Sequence, residues 1–356
     1  MVTAENIYGF NRQLILPKDL VLTKKTIEKL DFYSVMSIEV KESVLTGKTG
    51  SEKQVEVGIS EKPKVMSYSE RVKASPEFAV FKKKFEEALD SVKGSLNDIV
   101  QKNVPVDAEK LLKNTSDILV STESSYHVFD MLQNMRSYDD PTYAHCVNVS
   151  LISNVLGKWL DFPEDSLNTL TLAGLLHDIG KLKIPEEIVT KPGKLTPEEF
   201  ARIKTHTVEG YTILKDSGLN PHVINAALMH HERCDGKGYP LGLPAERIDY
   251  YAKIIAIADV YDAMTAARCY RGPLCPFTVI SIFEKEGLQK YDSRYIIIFL
   301  ENIVNTYMHN RVRLSNGNEG EIVMINKSDL AHPLVDCDGN FIDLSKEHGL
   351  DIVEIL

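Results

Sequence analysis

Five short stretches of this chain carry side chains that could hold metal: His145, the pair His177-Asp178, His206, the pair His230-His231, and Asp259. Adjacent His-Asp and adjacent His-His are costly to keep inside a domain unless something binds them. Imidazole and carboxylate donors together suit borderline and harder first-row divalent ions such as iron, manganese or zinc. A carboxylate beside a histidine can also hold two such ions close enough to share one hydroxide. The chemistry these residues point to is metal-assisted hydrolysis, above all of a phosphodiester.

Each piece alone has a plainer explanation, such as a buried His-Asp hydrogen bond or one core histidine. Their surroundings favour a joint role. The run Leu172-Ala173-Gly174-Leu175-Leu176 delivers His177 and Asp178 into an apolar interior, and Gly180 lets the backbone turn directly afterwards. Lys181, just past that turn, is placed to meet a phosphate oxygen or to help a leaving oxygen. His206 is flanked by the helical apolar residues Ile203 and Ile213. His230-His231-Glu232 closes an apolar helix and enters a glycine-rich loop. Two neighbouring imidazoles would repel if protonated, so they make most sense as neutral ligands. Asp259 follows the apolar approach Ile254-Ile255-Ala256-Ile257-Ala258, whereas Asp262 reads as an outward, solvated or capping residue.

The elements that must position these groups are helices. Residues 126–310 read as almost wholly helical, with apolar stripes over 148–160, 166–176, 197–214, 221–231 and 251–267. Their separators are turn formers such as Lys191-Pro192-Gly193-Lys194 and Asp235-Gly236-Lys237-Gly238. A bundle of this kind can bring ligands distant in sequence to one interior point. Before it, residues 66–125 form a helical linker. Phe78, Phe81, Phe85, Leu89, Val92, Leu96 and Ile99 there recur at helical steps, a stripe suited to core packing or to a homodimer contact. Residues 1–65 mix short β-branched runs with a candidate helix over 22–30 capped by Thr23 or Thr26, and Gly47 to Ser51 reads as a loop. A small α+β accessory domain is expected. Residues 311–356 show short strand-like runs separated by Ser315-Asn316-Gly317-Asn318 and Asp338-Gly339, a β appendage without an evident catalytic residue. The expected fold class is mainly α.

At 356 residues the chain needs no disulfide staples, and its five cysteines are odd in number and contain no C-x-x-C. Reduced thiols are the plain reading, with at most a minor metal role for Cys146 or Cys234. A formal charge of −10 argues against a nucleic-acid polymer or an anionic membrane surface as partner. Residues 1–17 have no signal-peptide pattern and no apolar run approaches a membrane span, so a cytoplasmic location is expected.

His177-Asp178-Ile179-Gly180-Lys181, then His206, then His230-His231-Glu232 with Asp235-Gly236-Lys237-Gly238-Tyr239-Pro240, then Asp259-Val260-Tyr261-Asp262-Ala263 together resemble the HD-GYP phosphodiesterases. The resemblance covers residues 126–310 and rests on several separated motifs in one order. It implies an HD-type α-helical bundle, two divalent ions (iron or manganese), and hydrolysis of the bacterial second messenger cyclic di-GMP by a metal-bridging hydroxide. The product would be pGpG or, onward, GMP; some family members prefer cyclic GMP-AMP. It further implies that His145, His177, Asp178 and Asp259 surround one ion, and that Asp178 as bridge, His206, His230 and His231 surround the other. Lys181 would touch the scissile phosphate, and Arg268 and Arg271 the substrate's other phosphate. Gly236, Gly238, Tyr239 and Pro240 would shape a substrate-side loop that could also meet a signalling protein.

Two departures from the family pattern carry weight. Members with three metals have a Glu one helical turn before the first histidine. Here Pro141 stands there, which implies two ions and pGpG as the product. The run Ala266-Ala267-Arg268-Cys269 lacks the family's Ser-Asp and Pro around the arginine, which implies looser substrate contacts. The competing expectations are a generic nucleotide hydrolase of HD type and a non-catalytic cyclic dinucleotide sensor.

Overall fold

The computed structural model describes residues 2–3, 7–8, 14–16, 18, 20, 22, 38, 40–41, 68–122, 125–135, 141–266 and 272–356. Two compact units result, Met1–Ser67 and Tyr68–Leu356. In the first, the strand β1 (Val2–Thr3) pairs antiparallel with β4 (Val40–Lys41), and β2 (Ile7–Tyr8) with β3 (Leu14–Leu16). Ile7 and Leu16 are buried there beside Leu20, Leu22 and Ile38. The helix expected over 22–30 and the loop at 47–51 lie outside the described residues, apart from position 22.

The second unit begins with α1 (Tyr68–Lys73), α2 (Pro76–Lys102), α3 (Ala108–Val120) and α4 (Ser125–Asn134). Ser75 starts α2 by accepting the Phe78 N–H at 3.0 Å, Pro76 occupies the first turn where its missing donor costs nothing, and Asn103 ends it at a left-handed φ of 54°. Most of the stripe expected on this helix is buried: Leu89 is half-buried, while Phe81, Phe85, Val92 and Leu96 lie in the same hydrophobic core as α3 and the bundle behind it. Each such side chain contributes on the order of 2 kcal/mol of burial. Core packing therefore accounts for most of this face. Lys183 also donates to the Val100 carbonyl at 3.3 Å, tying the end of α2 to the turn that follows His177.

The bundle proper continues with α5 (Pro141–Trp159), α6 (Glu164–Leu176), a 3-10 turn (Ile179–Lys183), α7 (Glu186–Val189), α8 (Pro197–Lys204), α9 (His206–Leu214), α10 (Pro221–Met229) and α11 (Tyr250–Thr265). Helix α6 is buried on nearly every side, and Gly174 lets it press against α5: a Cβ there would lie 2.6 Å from the Ser150 Cα. The stripe read as one helix over 197–214 is two helices meeting at Thr205, and the helix expected to reach residue 231 stops at Met229. Both differences place histidines at helix ends. Among the described residues no helix is long and apolar enough to cross a membrane.

After α12 (Pro276–Ile282), α13 (Leu288–Lys290) and α14 (Ser293–Asn305), the chain forms an antiparallel sheet of order β8-β7-β6-β5-β9. These strands are β5 (Arg311–Leu314), β6 (Glu319–Met324), β7 (Leu334–Cys337), β8 (Asn340–Asp343) and β9 (Ile352–Ile355). The β7–β8 turn has Asp338 and Gly339 both at positive φ, 54° and 89°, as a two-residue hairpin requires. The molecule is mainly helical with this small sheet attached.

Asp292 joins α14 to the bundle. It caps α14 through the Arg294 N–H at 3.2 Å and pairs with Lys253 of α11 at 3.0 Å, both side chains about nine-tenths buried. Its hydrogen bond with Arg294, with Lys253 behind it, outweighs desolvation and holds its carboxyl well below the ordinary range. A depressed carboxyl stabilises the fold above its unfolded pKa, and that stabilisation is lost as pH falls through the folded value. Asp292→Asn keeps a good cap and removes the charge, so it is expected to cost about 1.5–3 kcal/mol at pH 7. In urea titrations the gap from wild type should start to narrow below pH of about 4. A gap constant down to pH 2 would contradict this account.

Candidate metal centre

The ends of three helices and the interiors of two more converge on one buried point. His177 caps the C-terminus of α6, and Asp178 opens the 3-10 turn that follows. His206 begins α9, His230 caps α10 with His231 next to it, His145 comes from α5, and Asp259 comes from α11. Gly180 makes the junction possible by close approach rather than by an unusual φ. A Cβ on it would lie 1.9 Å from the His206 carbonyl oxygen and 2.5 Å from the Gly210 nitrogen.

The seven side chains fall into two clusters whose ligand atoms lie within 4.8 Å of one another: His145, His177 and Asp259, and Asp178, His206, His230 and His231. Asp178 faces both. Its Oδ2 is 3.3 Å from His177 Nε2 and 3.6 Å from His145 Nε2, while its Oδ1 is 3.3 Å from His206 Nε2 and 3.6 Å from His230 Nε2. Asp259 Oδ1 is 3.0 Å from His145 Nε2, and its Oδ2 is 3.8 Å from His231 Nδ1. That is the arrangement a carboxylate needs to bridge two cations.

Ring tautomers say the same. The Nδ1 atoms of His177, His206 and His230 donate to the carbonyls of Gly174, Ile203 and Ala226 at 2.7, 2.6 and 2.9 Å. Their Nε2 atoms are therefore lone-pair acceptors turned inward. His206 Nε2 and His230 Nε2 stand 3.2 Å apart. Two acceptors at that separation cannot bond each other, and a cation between them resolves the conflict. His145 Nε2, His177 Nε2 and Asp178 Oδ1 are buried without a hydrogen-bond partner. Orphaned buried acceptors converging on one point fit divalent ions held by nitrogen and oxygen donors.

The electrostatics are preset for this. Burial pushes His177 down, pushes His206 to about 3, and lowers His231 well below the usual imidazole range, so these rings are neutral at pH 7. Burial opposes charge on Asp178 as well, but the Lys181 ammonium overcomes it and keeps the carboxylate ionised. Asp259 is likewise held low, His145 outweighing its desolvation. At His145, burial works against protonation, yet the flanking carboxylates of Asp259 and Asp262 favour positive charge there and raise it to about 9, a charge that a cation at Nε2 would supply in place of the proton.

Lys181 bonds Asp178 Oδ2 at 2.5 Å, with its side chain 24% exposed at the open side of the centre. The loop after His231 is shaped by two glycines for different reasons. Gly236 takes a φ of 71°, whereas a Cβ on Gly238 would meet the Glu232 Cα at 2.4 Å. Tyr239 stacks on His231 with centroids 4.7 Å apart, and Lys204 stands over the Tyr239 ring at 5.7 Å and the Phe200 ring at 5.2 Å. Pro240 follows Tyr239 in the same loop, and Cys146 is buried with its thiol pushed up by desolvation. Arg268 and Arg271 lie outside the described residues, as do Asp139 and Asp140; Pro141 opens α5.

Three contributors escaped the sequence reading. Asp262 is not outward: it is 6% exposed and bonds His145 Nδ1 at 2.7 Å. Its three-residue spacing from Asp259 on one helix was the available signal. Lys204, two residues before His206, had no such signal. Glu232 is buried and accepts the N–H groups of Leu241, Gly242 and Leu243 at 2.6–3.1 Å, fixing the Tyr239 loop. Glu232→Ala should leave those donors unpaired and cost about 2–3 kcal/mol. Limited proteolysis should then nick residues 232–243, and unchanged protection there would refute this anchoring role.

A family model described as HD domain matches residues 109–295, just over half of the chain. A cyclic di-GMP phosphodiesterase of Pseudomonas aeruginosa is 42% identical over 141 residues, 39% of this chain and 34% of the relative. A cyclic di-GMP phosphodiesterase of Thermotoga maritima is 40% identical over 151 residues, 42% and 41% of the two chains. A 3'3'-cGAMP-specific phosphodiesterase of Vibrio cholerae is 40% identical over 168 residues, 47% and 39%. The chain thus spans about two fifths or less of these relatives' lengths. With the extent of the family match and the convergence of the His-Asp motif residues on one buried point, the chain belongs to the HD domain family.

Proposed function

We propose that this chain hydrolyses a cyclic dinucleotide, cyclic di-GMP, to linear pGpG. The observation that carries the reading is Asp178, whose two oxygens each face one ligand cluster. His145, His177, Asp259 and one oxygen of Asp178 would hold one divalent ion, and the other oxygen with His206, His230 and His231 a second. Iron or manganese suits this mixture of imidazole and carboxylate. When bound, such ions supply Lewis-acid chemistry, activating water and neutralising charge on a phosphoryl oxygen.

The protein's own groups complete the site. Lys181 Nζ, at the open side and tethered to Asp178, can turn to a phosphate oxygen or protonate the departing ribose oxygen. Arg268 and Arg271 are assigned to the substrate's second phosphate. Tyr239 stacks on His231 and, with Gly236, Gly238 and Pro240 of the same loop, is assigned to the substrate side, with a signalling partner as an alternative use of that loop. Pro141 offers no ligand at the start of α5, which supports two ions and a stop at pGpG. A cytoplasmic setting is part of the proposal, since cyclic dinucleotide messengers are made and read there.

Equal amounts of cyclic di-GMP, 3'3'-cyclic GMP-AMP, a nucleoside triphosphate and a simple aryl phosphodiester, offered together, test the assignment. Preferential loss of cyclic di-GMP with pGpG as product supports it. Preference for cyclic GMP-AMP would move the substrate to that of the Vibrio relative. Equal consumption of all four would replace the reading with a generic hydrolase, and accumulation of GMP would overturn the inference from Pro141.

A further inference from the structure

Four of the five histidines in the centre have Nδ1 tied down, but not by equal means. His177, His206 and His230 donate to backbone carbonyls three or four residues earlier in their own segments. His145 lies inside α5, where the preceding carbonyls are engaged by the helix. Its Nδ1 turns instead to Asp262 Oδ2, 2.7 Å away on α11. The other oxygen of Asp262 accepts from Asn148 Nδ2 at 2.9 Å, so the carboxylate is fixed at two points. The pairing is reciprocal: α5 contributes His145 and Asn148, three residues apart, and α11 contributes Asp259 and Asp262, also three apart. Such spacing puts each pair on one helix face.

We infer that Asp262 is the positioning residue of the first ion site, holding His145 with Nε2 directed at the cluster formed with His177 and Asp259. This rests on the metal-binding reading of the two clusters. A carboxylate behind a ligating histidine fixes the ring's orientation and raises its basicity, and removing such a group generally weakens metal affinity by about 10–100-fold. Asp262 acts through His145 and has no direct part in the other cluster. Its effect is therefore confined to one of the two ions.

The test is a stepwise manganese titration against a competing chelator, with the 356-residue wild-type chain, Asp262→Ala, Asp262→Asn and His177→Ala. Asp262→Ala is expected to weaken one ion by about 10–100-fold and leave the other unchanged. Asp262→Asn, which keeps an acceptor and loses the charge, should fall between it and wild type. With cobalt, the absorption band of one ion only should shift in both Asp262 variants, a change that mere loss of packing would not produce. Unchanged affinity for both ions in Asp262→Ala, or equal weakening of both, overturns the inference while leaving the metal centre standing. If wild type takes up no ion beyond what His177→Ala binds, the metal reading fails and this inference with it.

Discussion

Asp178→Ala is expected to lose both ions and to lower cyclic dinucleotide hydrolysis by at least about three orders of magnitude, some 4 kcal/mol of transition-state stabilisation. The reason is geometric. One oxygen stands 3.3 Å from His177 Nε2 and the other 3.3 Å from His206 Nε2, so among the described residues Asp178 makes the tighter link between the clusters, Asp259 reaching the second one only at 3.8 Å from His231 Nδ1. His206→Ala, by contrast, should affect only the second cluster, because that ring has no close approach to His145 or Asp259 comparable to its contact with His230. Elemental analysis after dialysis, alongside rates at saturating metal, separates the two variants. An Asp178→Ala protein that keeps one tight ion and more than a tenth of the rate would show that Asp178 does not bridge.

Gly180→Ala should be the most damaging single methyl in the chain's functional region. The added Cβ would sit 1.9 Å from the His206 carbonyl oxygen and 2.5 Å from the Gly210 nitrogen, both backbone atoms that no rotamer change can move aside. Ordinary overpacking costs about 1–3 kcal/mol. Here the 3-10 turn and the start of α9 must part, so the expected loss is at the top of that range or above. His206 is the residue carried away by the shift, so the second cluster should lose its ion in the folded fraction as well. Gly94→Ala, at an open helix position with nothing within 4 Å, is the matched control and should stabilise by about 1 kcal/mol. Equal urea midpoints for the two variants would show that the contact is not close in solution.

The sequence made the helices legible because long apolar stripes at 3.6-residue spacing need little context. It did not reveal the break at Thr205. Residue 205 keeps ordinary helical angles (φ −68°, ψ −13°) and has no Pro or Gly beside it, and the stripe runs straight across. The break arises when the His206 end of α9 packs onto the turn containing Gly180. Strand β9 carries little local signal for a similar reason: Ile352–Ile355 is four residues long and becomes a strand through pairing with β5, about forty positions earlier. At the site, the ligand residues stood out because each pairs unusual chemistry with an apolar approach. Asp262 was misplaced because the same approach was credited to Asp259 alone, although a helix presents both on one face. Glu232 was invisible because its partners are backbone N–H groups, which every loop possesses.

The most direct measurement uses protein purified without oxygen, loaded separately with iron and with manganese, and incubated with cyclic di-GMP, its products resolved against pGpG and GMP standards. The account predicts pGpG from the loaded wild type and none from His177→Ala, whose ring nitrogen is one of the orphaned acceptors at the centre. Two bound ions, measurable cyclic di-GMP binding and no product would contradict it, and the centre would then belong to a sensor that holds the messenger without cleaving it.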